Sequence, residues 1–217
     1  MVFKTNIACL IGLLSLTTAS HAKVADAANH PLYAGAAFGH GSTTWQGLVP
    51  NEQNKNMALG MSTPVRVEEG GLTYGLFLGF EFTPTFALEA NYARYPKATV
   101  FFDSSSLFSF NNDDKTEFDT HTEAFNLMGK IFMPLTGTYL RFYSSFGVAE
   151  VHREDLLINH WRLSPTFGVG VNYTLSEHFM TELAGNYTAG YGESQLEPSA
   201  NYFPFLYSVL FRLAYRF

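Results

Sequence analysis

Six charged residues interrupt otherwise apolar, alternating segments of this chain: Glu81, Glu89, Lys130, Arg141, Glu182 and Arg212. Three are acidic and three are basic. Charges of both signs on one shielded face can form a mutually neutralising ion-pair network or an acid–base site. A second group lies in "HREDLLINHW" (152–161), where His152 and His160 flank Glu154 and Asp155, and Ser164 follows. Serine, histidine and an acid are the parts of a hydrolase or acyltransferase. The segment matches no triad pattern, however, and an acidic, histidine-bearing loop is usually just solvated. A third group, Asp113, Asp114, Glu117, Asp119 and His121 in "NNDDKTEFDTH", offers metal ligands. It lacks the ligand order and central glycine of a calcium loop. The expectation is an ion-pair network, with no catalytic residue, no metal site and no cofactor.

Alternation positions those six charges. A strand points successive side chains to opposite faces. In "YFPFLYSVLFRLAYRF" one face carries Phe203, Phe205, Tyr207, Val209, Phe211, Leu213, Tyr215 and Phe217, and the other carries Arg212 and Arg216. Similar runs recur at 32–41, 73–82, 86–95, 121–133, 139–151, 162–175 and 179–191, which makes eight segments. The connections alternate between short (83–85, 134–138, 176–178) and long (42–72, 96–120, 152–161, 192–201). Sorting of loop length by end marks a membrane barrel, with tight turns on one side and long loops on the other. A tilted strand of about ten residues crosses a bilayer. Lipid offers the backbone no hydrogen bonds, so the eighth strand must pair with the first. The predicted fold is all-β, an eight-stranded antiparallel up-and-down transmembrane β-barrel.

On that register the aromatics Phe80, Phe82, Phe86, Tyr139, Tyr173, Phe179, Tyr215 and Phe217, with Met133, gather at the short-turn end as one interfacial girdle. Glycines such as Gly35, Gly39, Gly75, Gly79, Gly168 and Gly170 face inward, where a narrow barrel has little room. The six charges face inward too, and an eight-stranded lumen is just filled by side chains. Glu89 and Lys130 should meet there, with Arg141 close by. Exchanging the pair, Glu89→Lys with Lys130→Glu, should then recover much of the loss from either single change.

Composition agrees. Hydrophobic residues make up 47% and charged residues 15%, with 21 Phe and 12 Tyr, yet mean hydropathy is zero. Soluble domains carry about 25% charge. The opening "MVFKTNIACLIGLLSLTTASHA" reads as a secretory signal: Lys4, a short apolar core, and small residues before a cleavage expected after Ala22. Residues 23–217 would then be the barrel domain. The one cysteine, Cys9, lies in the leader, so the mature chain needs no oxidation and holds no thiolate zinc site. The formal net charge is −6, with no basic cluster, which excludes nucleic acid as a partner.

The segments "LYAGAAFGHG", "GFEFTPTFALEANYARY", "SPTFGVGVNYTLSEHFMTELAGNYT" and the terminal "YRF" resemble the eight-stranded membrane domain of the outer membrane protein A family of Gram-negative bacteria. The resemblance runs from about residue 31 to the end, loops excepted. It implies an outer-membrane location, contact with outer-membrane lipid and lipopolysaccharide, and a periplasmic N-terminus. It also implies that Phe217, with Tyr215, belongs to the signal read by the barrel-insertion machinery. Glu89 and Lys130 fall at positions of the family's luminal charge network, whereas Asn172 and Glu182 fall where the family has opposite charges. The cell-wall-binding domain of larger members has no counterpart here, so a wall-anchoring role is not carried over.

Three functions follow as expectations. The first is a non-enzymatic barrel, its lumen plugged by the charge network and its acidic loops, 42–72 and 96–120, meeting a surface or host ligand. The second is a narrow porin for small solutes. The third is an outer-membrane lipase or acyltransferase using His152 and His160.

Overall fold

A computed structural model describes residues 30–50, 63–191 and 202–217. The expected leader, residues 1–22, lies outside the described residues. The strands are β1 (Leu32–Ser42), β2 (Arg66–Glu68), β3 (Gly71–Thr83), β4 (Phe86–Arg94), β5 (Ala98–Phe101), β6 (Glu117–Pro134), β7 (Leu140–Glu154), β8 (Asn159–Thr174), β9 (Phe179–Thr188) and β10 (Leu206–Arg216). One short helix, α1 (Leu107–Asn111), lies between β5 and β6.

Eight strands close on themselves in the order β1-β3-β4-β6-β7-β8-β9-β10, every pair antiparallel. The seam joins β1 to β10 from Tyr33 opposite Arg216 to Ser42 opposite Tyr207. Closure removes the sheet edge, as lipid requires. Among the described residues no helix is long and apolar enough to cross a membrane.

Burial is inverted relative to a water-soluble protein. Outward-pointing Leu127, Val169 and Val209 are 49%, 64% and 56% exposed, while inward-pointing Glu89, Lys130 and Glu182 are at most 2% exposed. Large apolar side chains outside and charges inside are what lipid as solvent selects. At the short-turn end Phe80 meets Phe82, Phe82 meets Phe86, and Tyr215 meets both Phe179 and Phe217, with ring centroids 4.9 to 5.8 Å apart. Inside, glycines make room for rings: a Cβ on Gly79 would stand 2.1 Å from the Tyr33 ring, and one on Gly170 would stand 2.5 Å from Tyr143.

The external end departs from the sequence expectation. β6 starts at Glu117, β7 runs to Glu154 and β8 begins at Asn159, so the connection expected over 152–161 is mostly strand. These extensions are mostly polar, with Phe118 and Trp161 the exceptions, because they stand above the lipid, and that weakens the alternation by which they would be read. β5 pairs with the outer part of β6, and β2 pairs with β5, as a small sheet beyond the barrel.

Arginine at Leu127, Val169 or Val209 should cost ~2–4 kcal/mol, whereas arginine at Ala189, beyond the outer end of β9, should cost less than about 1 kcal/mol. Reversible denaturant unfolding in lipid vesicles measures this; equal costs at both depths would refute the register.

Candidate functional site

The six charged residues predicted to face inward all point into the lumen with buried side chains. They form two clusters. In the first, Lys130 Nζ donates to Glu89 Oε2 at 3.1 Å and to both Glu182 oxygens at 2.9 and 3.0 Å. Arg212 donates to Glu89 Oε1 at 2.7 Å and also to Glu182. Hydroxyls complete the shell: Tyr33 donates to Glu89 at 3.0 Å and Tyr143 to Glu182 at 3.4 Å. In the second cluster, Glu81 receives Arg141 at 3.0 and 2.8 Å and Arg216 at 3.3 and 2.7 Å.

Asn172 joins the two. Its amide N–H donates to Glu182 at 3.0 Å, while its carbonyl oxygen accepts from Arg141 at 3.2 and 3.1 Å. A neutral side chain that both donates and accepts fits between an anion and a cation. The cations also rest on rings, with Lys130 4.1 Å from the Tyr143 centroid, Arg141 4.2 Å from Phe132 and Arg212 3.7 Å from Phe77.

Sequence reasoning overlooked Arg216 as a member, although the alternation that turns Arg212 inward turns Arg216 inward too. With it the described network holds four cations (Lys130, Arg141, Arg212, Arg216) against three carboxylates. The network also overturns the expected charge exchange. A lysine at 89 would face Arg212, and a glutamate at 130 would face Glu182.

Above the network, apolar side chains from the loops and the start of β10 pack together at the external mouth. Trp45 and Leu48, in a 3-10 turn over 45–48, are fully buried, as are Phe203 and Leu206. Trp45 packs on Tyr202 and Phe118, with centroids 5.1 and 6.1 Å away. Arg153, buried on the inner face of β7, ties this stopper together. It pairs with Asp155, donates to the Tyr202 carbonyl and lies 4.6 Å from the Trp45 ring. Asp155 in turn accepts the N–H groups of Leu157 and Ile158 at 2.8 and 3.1 Å. Glu69 accepts the N–H groups of Trp45 and Gln46 at 2.6 and 3.2 Å. Partial burial raises the Glu69 carboxyl above the usual range, and those donors pull against the rise.

Between network and stopper lies a cavity of about 30 Å³, lined in part by Asn91, Asn126, Ser145, Thr166, Asn186 and Ser208. That is room for one or two waters.

The hydrolase constellation does not assemble. His152 points outward from β7, between Glu123 at 3.1 Å and Asn159 at 2.9 Å, and stacks on Trp161 at 4.2 Å. Ser164 is buried on the inner face of β8 and His160 is exposed near that strand's outer end. In the acidic stretch, Asp119 is engaged by Lys97 and Thr99, at 3.0 and 2.8 Å. Among the described residues no three histidine, cysteine or acidic side chains come together as metal ligands.

The family model for the OmpA-like transmembrane domain matches residues 27–217. This chain belongs to that family. Its place is the Gram-negative outer membrane. Solved barrels of similar fold include Neisserial surface protein A, at 11% identity and a TM-score of 0.53 over 86% of this chain and 97% of that one. Another is the outer membrane protein OprG of Pseudomonas aeruginosa, at 13% identity and a TM-score of 0.50 over 87% and 96%. At such identities the likeness is one of fold alone. No curated protein matches the chain by sequence.

The imbalance of cations over carboxylates sets an order of costs. Glu81→Gln leaves Arg141 and Arg216 without a carboxylate and should destabilise the barrel by ~3–5 kcal/mol. Lys130→Met should cost clearly less, because Arg212 still holds both Glu89 and Glu182. The double exchange of Glu89 and Lys130 should be no more stable than the worse single variant. Unfolding titrations of the refolded proteins measure all three.

Proposed function

We propose that the protein is a non-enzymatic outer-membrane barrel, its lumen closed to ions and its long acidic external loops making contacts at the cell surface. The observation that carries the closed lumen is the stacking of two obstructions. The luminal charge network, Glu81, Glu89, Lys130, Arg141, Glu182 and Arg212 with Arg216, fills the periplasmic half. The Trp45–Phe203 stopper fills the external mouth. A single ring of charges can rearrange around a passing ion. An apolar stopper offers that ion no ligands, and desolvating a charge costs several kcal/mol.

Charge supports the loop role. Segment 96–120 holds Asp103, Asp113, Asp114, Glu117 and Asp119 against Lys97 and Lys115. The outward-facing Tyr215 and Phe217 support a further reading, that the terminal strand carries the signal for the barrel-insertion machinery. Contact with outer-membrane lipid and lipopolysaccharide follows from the exposed apolar wall. The outward placement of His152, away from Ser164, supports a non-enzymatic role.

The polar cavity beneath the stopper favours one second reading, a narrow porin for small solutes. Planar-bilayer recording separates the two. The wild type should be nearly silent, and Glu89→Ala or Trp45→Ala alone should add little. The two together should raise conductance well above either. A wild type that conducts steadily, unaffected by these changes, would establish the porin instead.

A further inference from the structure

The most exposed large apolar side chain of the described residues lies neither on the lipid-facing wall nor in the stopper. Phe110 on α1 is 81% exposed, and Leu107, three residues earlier on the same face of the helix, is 49% exposed. The opposite face is buried. Phe108 stacks on Phe102 at 3.8 Å and packs on Phe118 at 5.6 Å, which anchors α1 to the stopper's outer layer. Ser106 caps the helix by accepting the Ser109 N–H, Ser109 donates its hydroxyl to the Asp103 carbonyl, and Asn112 donates to the Phe108 carbonyl. The pair is therefore held on a rigid platform.

Its own membrane cannot cover it. α1 precedes β6, whose outer part, from Glu117, stands above the lipid-facing wall. A strand rises ~3.3 Å per residue, so even a tilted extension of a few residues clears the bilayer by several ångströms. The rim is acidic. Asp103, Asp113, Asp114 and Glu117 are exposed around α1; of the cations near it among the described residues, Lys97 is paired with Asp119 at 3.0 Å and Arg66 with Glu68 at 2.8 Å, which leaves Lys115.

The geometry points to a docking knob: the Leu107–Phe110 face takes an apolar segment of a partner protein that is flanked by lysines or arginines, that is, a cationic amphipathic segment. Charge complementarity decides the occupant. The acidic rim repels phosphate-bearing surfaces and attracts a basic rim, while the two apolar side chains supply the contact that water gives up. A rigid platform lowers the ordering cost of that contact. The inference rests on the surface-contact reading of the loops and assigns that contact to one helix face and one partner chemistry.

The test uses the refolded barrel in zwitterionic nanodiscs, with empty nanodiscs as background. The probe is a synthetic amphipathic helical peptide of leucine and lysine; a scrambled peptide of the same composition lacks the apolar face. The wild type should bind the amphipathic peptide more tightly than the scrambled one. Leu107→Ser with Phe110→Ser should weaken that binding roughly tenfold or more. Asp113→Asn with Asp114→Asn should weaken it severalfold at low salt and flatten its salt dependence. Undiminished binding by the double serine variant, or equal binding of the scrambled peptide, would overturn the knob while leaving contact by acidic loops standing. No peptide binding, with capture of phosphatidylcholine vesicles instead, would make the occupant a lipid surface and overturn the proposal. Conductance is recorded separately, so none of these outcomes bears on the closed lumen.

Discussion

Pairing of the last strand with the first is the constraint from which the rest follows. In lipid an unpaired sheet edge would leave a row of N–H and C=O groups without partners, at several kcal/mol each. The β1–β10 seam removes that edge, and with eight strands it encloses a lumen only wide enough for side chains. Most polar side chains of the membrane-crossing segments then go inward, since the outward face is lipid; Ser144 and Glu150 on β7 are outward exceptions. The charges inside have little water to solvate them. Ion pairing with one another, and hydrogen bonds from hydroxyls and Asn172, are what let the barrel hold them.

The inner network and the outer stopper solve the same problem with opposite chemistry. Toward the periplasm the strands supply charges in register, and glycines opposite Tyr33 and Tyr143 admit the rings that carry the cations. Toward the outside the strands rise beyond the lipid, and the loops fold back an apolar group around Trp45. Among the described residues Arg153 is the cation buried within that group, beside the equally buried side chain of Asp155. It is tolerable there because Asp155, the Tyr202 carbonyl and the Trp45 ring surround it. The small polar cavity lies where the two chemistries meet.

Much of this was legible in the sequence, and the limits have physical causes. Strict alternation told which side chains face inward, so the strands, the girdle and six charges could be read directly. Parity fixes a face but not a partner. Partners across a closed barrel depend on strand stagger, so the contact of Glu81 with Arg141 and Arg216, and of Lys130 with Glu182, needed coordinates. For the same reason the expected exchange of Glu89 and Lys130 does not survive the neighbours each of them has. Parity turns Arg216 inward as it does Arg212, although the six expected charges do not include it. The stopper was not readable at all. Trp45, Arg153 and Tyr202 are far apart in the chain, carry no common period and meet only through loop packing.

Closure of the lumen at both ends is most directly tested by the accessibility of Ser145, which lines the cavity between network and stopper and is 5% exposed. The sole native cysteine is Cys9 in the expected leader, so Ser145→Cys in the mature barrel would present one thiol. Its rate of reaction with a small, membrane-impermeant, cationic thiol reagent is compared with that of exposed Asp113→Cys. The account predicts that the cysteine at 145 stays essentially unmodified in the folded barrel and reacts once Trp45→Ala opens the stopper. Rapid modification at 145 with the stopper intact would contradict it.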